Sequence, residues 1–353
     1  MKENHTAALV LEQYNETQSV LNFKPFGDGH INDTFLVETK NSRYILQRVN
    51  KNVFRTEALV HNYNIFLNFL NSYEQDKNIK ITPAILKNQS GQYHIIDKEG
   101  FAWRLAEFIP GTSSYRISPD TRISFKAAEA MGKFQQFLNT LPPGQFEFTI
   151  INYHNPASRL NAFKEAVKTA PNDLLEKAQK EIEFSLAHQN IVDEYDAVLP
   201  ALIQRITHND TKLDNMLFYG DKVLVIDLDT VMPSTVLFDY GDMVRTFTSP
   251  AAEDEKDETK TIFRTNHFEA LTKGYLRGLN GNIEPVEKNN LLLGARAIIY
   301  EQTLRFLTDY LLGNPYYKVK YAHHNLVRTK TQIKLLAAIE QNKNKLQEFI
   351  LSL

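Results

Sequence analysis

Between Pro25 and Asn50 the chain reads PFGDGHINDTFLVETKNSRYILQRVN, and the glycine-rich turn at its start limits the folds available. In a dinucleotide-binding unit or a P-loop, such a turn leads from a strand into a helix whose N-terminus faces phosphate. Here it leads into another strand. Phe35 and Val37 alternate with polar neighbours through Thr34 to Thr39, Lys-Asn-Ser makes a hairpin turn, and RYILQRVN supplies the next strand. A helix begins only near Thr56. The glycine turn therefore belongs in an antiparallel hairpin.

The same strand-rich texture runs to about residue 107. Leu9 to Gln13 reads as a short helix before the strand SVLNFKPF. Phe54 to Tyr73 reads as a helix, with Leu59, Tyr63, Phe66, Leu67 and Leu70 at helical spacing. KITPAIL, QYHIID and FAWRLAEFI follow as short strand-like runs separated by turns. After IPGTSSYRISPD helical patterns dominate: Ile123 to Thr140, Pro156 to Thr169, Leu174 to Gln189, Phe263 to Leu279, Val286 to Leu312 and Asn325 to Leu351. Two short strands, NMLFYG and KVLVIDLD, are joined at Gly220-Asp221 in hairpin fashion. The expected class is α+β, a two-lobed protein-kinase-like fold. Residues 1–107 form a small antiparallel β lobe with one inserted helix, 108–111 a hinge, and 112–353 a larger, mainly helical lobe. In that architecture a glycine hairpin folds over the phosphates of a nucleotide.

Composition removes several other classes. A chain of 353 residues accommodates about two domains, and its hydrophobic share of 42% supports a full core. A net charge of −2 leaves no basic surface for nucleic acid. Without cysteine there is neither a disulfide framework nor a thiolate zinc site. No apolar run approaches the roughly 20 residues that span a bilayer, and the opening residues lack a signal-like apolar core. The expectation is a cytoplasmic protein with no membrane, nucleic-acid or obligate protein partner. The mixed-charge stretch EDEKDETK reads as a solvated loop.

The chemistry concentrates in THNDTKLDNMLFYGDKVLVIDLDTVMPSTVLFDYGD. Lys212 follows Asp210 by two positions, Asn215 follows it by five, and Asp227 lies at the end of the next apolar strand. Phosphoryl transfer calls for a carboxylate to hold the acceptor hydroxyl and take its proton. It also needs an amide oxygen and a second carboxylate for Mg²⁺, and a cation to offset charge on the moving group. Protein kinases carry these groups in this order and spacing, and the segment resembles them. Asp229 fits a water-mediated metal contact, a substrate contact or a supporting role. Asp239 and Asp242 suit anchoring of the loop and the following helix, and His208 suits bracing of backbone.

The pattern HND…N…IDLD…FDYGD resembles the aminoglycoside phosphotransferase and choline kinase superfamily more than protein kinases. With GHINDTF, YILQRVN, THNDTKLDN, VIDLDTVMP, DYGDMVRT and RFLTDYLLGNPYYKV, nearly the whole chain is similar to the N-acetylhexosamine 1-kinases. That resemblance implies ATP- and Mg²⁺-dependent phosphorylation of the anomeric hydroxyl of N-acetylglucosamine or N-acetylgalactosamine. It implies Asp210 as base with Lys212 beside it, Asn215 and Asp227 as metal ligands, and Gly27 to Asp33, Gly29 included, over the phosphates. Adenine is expected at the backbone of Glu107, Phe108 and Ile109, flanked by Phe108 and Leu217. Sugar contacts are expected from His30, Asp33, Asp210, Arg305 and Tyr316.

One departure stands out: Gln47 occupies the strand position where lysine or arginine is usual. Gln47 and Arg48 face opposite sides by alternation, so Lys212 is expected to supply the missing charge while Gln47 donates a hydrogen bond. Glu57 is the candidate for the usual helix glutamate. Arg305 and Asp309 sit four apart on a helix ending at Gly313, a spacing that suits an ion pair on a helix surface or beside a pocket. Two further readings remain. A kinase for another sugar, an amino alcohol or an aminoglycoside is one, though RFLTDYLLGNPYYKVKYAHH is not the acidic surface a cationic acceptor favours. A nucleotide-binding module without catalysis is the other, against which Asp210, Asn215 and Asp227 all stand.

Overall fold

The computed structural model describes residues 2–27 and 31–353. The chain divides into two compact units. One comprises Met1–Ser113, Leu141–Ile151 and Leu217–Pro233; the other comprises Ser114–Thr140, Asn152–Met216 and Ser234–Leu353.

The first unit is built on an antiparallel sheet of β1 (Val20–Pro25), β2 (Asp33–Thr39), β3 (Arg43–Arg48), β4 (Ile95–Ile96) and β5 (Ala102–Glu107), in the order β1-β2-β3-β5-β4. Helix α1 (Lys2–Leu11) precedes the sheet and α2 (Thr56–Lys77) lies between β3 and β4. The glycine turn joins β1 to β2, as its context required, and Phe26 N donates to Thr34 O at 2.9 Å where the hairpin opens. Strand alternation then sorts the two faces. Phe35, Val37, Leu46, Trp103 and Leu105 are buried against Ala7, Val10 and Leu11 of α1. On the other face Thr34, Gln47 and Arg104 stand in cross-strand register.

All five apolar positions read from the spacing of α2 are buried. The stretch Leu141–Ile151 joins this unit because α2 holds it. Asn62 accepts from Glu147 N (2.9 Å) and donates to Glu147 O (2.8 Å), while Arg55 N donates to Thr149 O (2.9 Å). KITPAIL does not form the expected strand, because Pro83 has no N–H to give a ladder. It keeps only a bridge between Ile85 and Ala106 and isolated bonds such as Leu86 N to Leu105 O at 2.8 Å.

The second unit is mainly helical: α3 (Thr121–Leu138), α4 (Pro156–Thr169), α5 (Asn172–Lys177), α6 (Gln179–Ala187), α7 (Asn190–Val198), α8 (Val236–Phe247), α9 (Thr265–Leu279), α10 (Pro285–Asn289), α11 (Leu291–Leu311), α12 (His324–Gln341) and α13 (Lys343–Ser352). Strand β6 (Arg205–Thr207) belongs to this unit, whereas β7 (Met216–Tyr219), β8 (Lys222–Val225) and β9 (Met232–Ser234) fall largely in the Leu217–Pro233 segment of the first, with β7 and β8 paired as expected. Helix α4 starts at Pro156 under an Asn155 cap that accepts from Ser158 N at 2.8 Å. Three runs expected as single helices are each broken in two. At Asn290 and Asn342 the side chain donates back to the carbonyl four residues earlier, Val286 O and Ala338 O, both at 2.8 Å. Asparagine competes with the helical ladder in this way and turns the chain. The α+β class is as expected: an antiparallel β lobe with one inserted helix and a larger helical lobe.

Glycine lets the buried helices approach closely. A Cβ on Gly294 of α11 would lie 2.4 Å from Leu237 O of α8, and one on Gly132 of α3 would lie 2.5 Å from Tyr275 O of α9. Gly294→Ala therefore forces α8 and α11 apart. The expected cost in urea unfolding is about 1–3 kcal/mol; an unchanged midpoint would show that the contact yields freely.

Candidate active site

The loop after β6 carries the first group of functional side chains. Asn209 adopts φ 65, and its side chain bonds both the hydroxyl (3.0 Å) and the carbonyl (3.1 Å) of Thr207, which suits asparagine to that conformation. Asp239 of α8 accepts from His208 N (2.9 Å) and Asn209 N (2.6 Å). Burial pushes the Asp239 carboxyl up to about 6, although His208 and the two N–H donors oppose the shift. Both Asp239 and Asp242 lie inside α8 rather than ahead of it, and Asp242 accepts from Arg245 Nε at 2.8 Å. His208 is buried, and its Nδ1 accepts from Asp210 N at 3.2 Å.

This scaffold presents the Asp210 carboxylate to two donors, Lys212 Nζ at 2.9 Å and Asn215 Nδ2 at 2.9 Å. The short turn Leu213–Asn215 brings Asn215 round, and Nδ2 also reaches Asp210 O at 2.8 Å. Burial alone would raise the Asp210 pKa, but Lys212 and Asn215 outweigh it and hold the group below the ordinary range. Asp210 is thus an anion at neutral pH. With its nitrogen spent on Asp210, Asn215 can offer a cation only its oxygen.

A buried histidine supports the loop from behind. His154 Nε2 lies 2.9 Å from Asn209 O and Nδ1 lies 3.3 Å from Glu301 of α11, with the ring stacked 4.8 Å from Phe238. Burial would depress the His154 pKa, yet Glu301 and the Asn209 carbonyl outweigh it and raise it. One turn along α11, Arg305 donates to Gln302 Oε1 at 3.2 Å and faces the rings of Tyr153 (5.6 Å) and Tyr317 (5.7 Å). The expected Arg305–Asp309 pair does not form. Asp309 instead accepts from Tyr316 N (2.8 Å) and Tyr317 N (3.0 Å), two donors from the turn after Gly313, and from Asn325 Nδ2 (2.8 Å) of α12. Tyr316 is 61% exposed, whereas Tyr317 is half-buried.

The other functional side chains belong to the first unit. Asp227 follows β8 in a left-handed conformation (φ 62, ψ 59), strained for a residue with a side chain. Asp229 is buried and held by three groups: the Arg104 guanidinium, Tyr63 OH (3.0 Å) and Asn32 Nδ2 (2.6 Å). Arg104 also donates Nε (3.0 Å) and Nη2 (2.8 Å) to Gln47 Oε1, and Gln47 Nε2 donates to Thr34 at 3.3 Å. Burial opposes charge on Asp229, but Arg104 and the other donors lower its pKa below the ordinary range. Arg48 has separate partners, Asp33 at 2.6 Å and the Phe101 ring at 4.8 Å, as alternation required. Glu57 is exposed and makes no ion pair among the described residues; α2 contributes Tyr63 instead.

Gly27 takes φ 75, while Gly29 and His30 lie outside the described residues. The Glu107 carboxylate pairs with Lys80, and its N–H donates to Ala84 O at 2.9 Å. Phe108 lies under the Arg43 guanidinium (4.3 Å) and edge-on to Phe26 (6.0 Å). Ile109 O accepts from Thr112 Oγ1 at 3.1 Å, and Leu217 is half-buried. Sequence reasoning missed Arg104, His154 and Glu301. Arg104 alone left a signal, as the one charge among the apolar inward positions of AWRLA.

Residues 22–271 match the phosphotransferase enzyme family, and the chain belongs to that family. Its fold is that of solved relatives at low identity. It is similar to an aminoglycoside phosphotransferase from Alicyclobacillus acidocaldarius (TM-score 0.60, 12% identity, 98% of this chain and 94% of that one). It is also similar to a microcompartment-associated aminopropanol kinase (0.62, 15%, 98% of each). A third is a choline kinase from Streptococcus pneumoniae (0.56, 14%, 95% and 99%). No helix among the described residues is long and apolar enough to cross a membrane. Nor do three or more His, Asp or Glu side chains converge on a metal position among them. Amide and carboxylate oxygens such as those of Asn215 and Asp227 are each hard donors of the kind Mg²⁺ accepts alongside water and phosphate.

The raised pKa of His154 gives a signed prediction. A group whose folded pKa exceeds its unfolded value contributes stability that is full below about pH 6.5 and is lost as pH rises through the folded value. The stability difference between wild type and Glu301→Gln, from urea unfolding, should therefore be largest near pH 6 and shrink towards pH 9. A difference independent of pH would contradict a charged His154.

Proposed function

We propose that the protein transfers the γ-phosphoryl group of ATP to the anomeric hydroxyl of N-acetylhexosamines, with Mg²⁺. The observation that carries this reading is an ionised Asp210, held between Lys212 and Asn215 at the end of a braced loop. In the proposed reaction the C1 hydroxyl gives its proton to an Asp210 oxygen. Its own oxygen forms a bond to the γ-phosphorus as the bond to the β-bridging oxygen breaks, leaving ADP and a sugar 1-phosphate. Lys212 offsets charge on the phosphates, and Asn215 and Asp227 supply the oxygens that hold Mg²⁺, which neutralises charge when bound.

Residues 1–107 serve the nucleotide in this reading, with Gly27, Gly29 and Gln47 towards the phosphates. Adenine is received along residues 107–109 beside Leu217. Residues 112–353 serve the acceptor, with Asp210, Arg305 and Tyr316 as contacts, and His30 and Asp33 are the further contacts in this reading. Arg305 faces two tyrosine rings and forms no ion pair among the described residues. A half-buried guanidinium repels ammonium acceptors and suits the neutral hydroxyl and amide groups of a sugar. Cytoplasmic substrates and nucleotide fit this chemistry.

ADP release in the presence of Mg-ATP and a panel of acceptors tests the proposal. N-acetylhexosamines should exceed choline, aminopropanol and aminoglycosides; a faster amino alcohol would sink the sugar assignment. Asp210→Asn should lower turnover by about 10²–10⁴ with nucleotide affinity retained. Lys212→Ala should cost more than a factor of about three, roughly 0.65 kcal/mol; a smaller loss would remove Lys212 from the charge balance.

A further inference from the structure

The missing lysine of β3 leaves a question about charge, and the neighbouring strand answers it. Gln47 is paired in register with Arg104 of β5, whose side chain is 2% exposed. The guanidinium spends Nε and Nη2 on Gln47 Oε1 and Nη1 on Asp229 Oδ1. Asp229 is reached as well by Tyr63 from α2 and by Asn32 from the foot of the glycine turn, and Thr149 Oγ1 donates to its main-chain oxygen at 2.9 Å. Asn32 is itself fixed, accepting from Asn50 N at 3.0 Å. Two sheet strands, one helix and the glycine turn are thereby tied to a residue two positions beyond Asp227.

We propose that Arg104 is a positioning residue that, through Asp229, holds the left-handed turn at Asp227 in the conformation that receives a divalent ion. In protein kinases a strand lysine paired with a helix glutamate couples sheet and helix at the site. Here the helix acid Glu57 is exposed, and the coupling ion pair runs from β5 to the metal turn. Gln47 is then the acceptor that orients the guanidinium. A lysine in its place would set a second cation beside Arg104 without a second carboxylate to receive it. This inference rests on the reading of Asp227 as a metal ligand.

Binding of Mn²⁺ in the presence of ADP, followed by electron paramagnetic resonance of the free ion, tests it without any acceptor. Arg104→Met should weaken Mn²⁺ by about 10- to 100-fold, with the affinity for ADP alone little changed. Tyr63→Phe, which removes one hydroxyl and keeps the ring, should weaken Mn²⁺ severalfold and serves if Arg104→Met does not fold. Gln47→Lys should weaken Mn²⁺ as well. Arg55→Gln, which loosens α2 from Phe148 and Glu147 without touching Asp229, should lower the melting temperature and leave Mn²⁺ affinity alone. Variants at Arg104 and Tyr63 that melt earlier but bind Mn²⁺ like wild type would overturn the positioning role. A wild-type protein that binds no Mn²⁺ with ADP would overturn the metal reading beneath it.

Discussion

A guanidinium and a carboxylate cannot be buried together cheaply, and the pair Arg104–Asp229 constrains the whole first unit. Losing one partner of such a pair costs about 3–5 kcal/mol because the other charge is left unmatched in a dry interior. The surrounding groups make it tolerable. Gln47 takes two guanidinium donors, and Tyr63 and Asn32 take up the remaining carboxylate capacity. Each comes from a different element, so the pair fixes sheet, helix and turns against one another. The strained backbone at Asp227 lies two residues before this firmly held carboxylate.

The Asp210 loop follows the same logic with different parts. Its backbone is fixed by a buried carboxylate from α8 and by the His154 ring, which bridges to Glu301. The Asp210 carboxylate is kept ionised by Lys212, two residues away. In both places a buried, hydrogen-bonded carboxylate holds a loop that carries a second carboxylate, Asp227 in one and Asp210 in the other. Pre-organisation of this kind means that little rearrangement is needed when charge moves.

Much of this was legible beforehand, for definite reasons. The hairpin setting of the glycine turn followed from alternation in Thr34 to Thr39, and α2 from apolar spacing, since both patterns are local. Helix α8 was not legible, because VLFDYGDMVRTF is buried on nearly every side and shows no polar face. The breaks at Asn290 and Asn342 depend on single side-chain bonds that periodicity does not register. At the site, Asp210, Lys212 and Asn215 come together because their spacing lies within one loop. Arg104 and Asp229 are 125 positions apart, so no local pattern joins them. Asp309 was misread for a related reason: helical spacing suggested Arg305, but the turn beyond the helix offers two backbone donors and α12 a third from Asn325.

The central claim is the identity of the bond that is made, phosphate on the anomeric oxygen of an N-acetylhexosamine. Phosphorus NMR of the product formed from Mg-ATP and N-acetylglucosamine or N-acetylgalactosamine reads that bond directly. The expected result is a new phosphomonoester resonance split by the anomeric proton alone and correlated with C1. A resonance coupled to the C6 methylene protons, or ADP formation with no sugar phosphate at all, would contradict it.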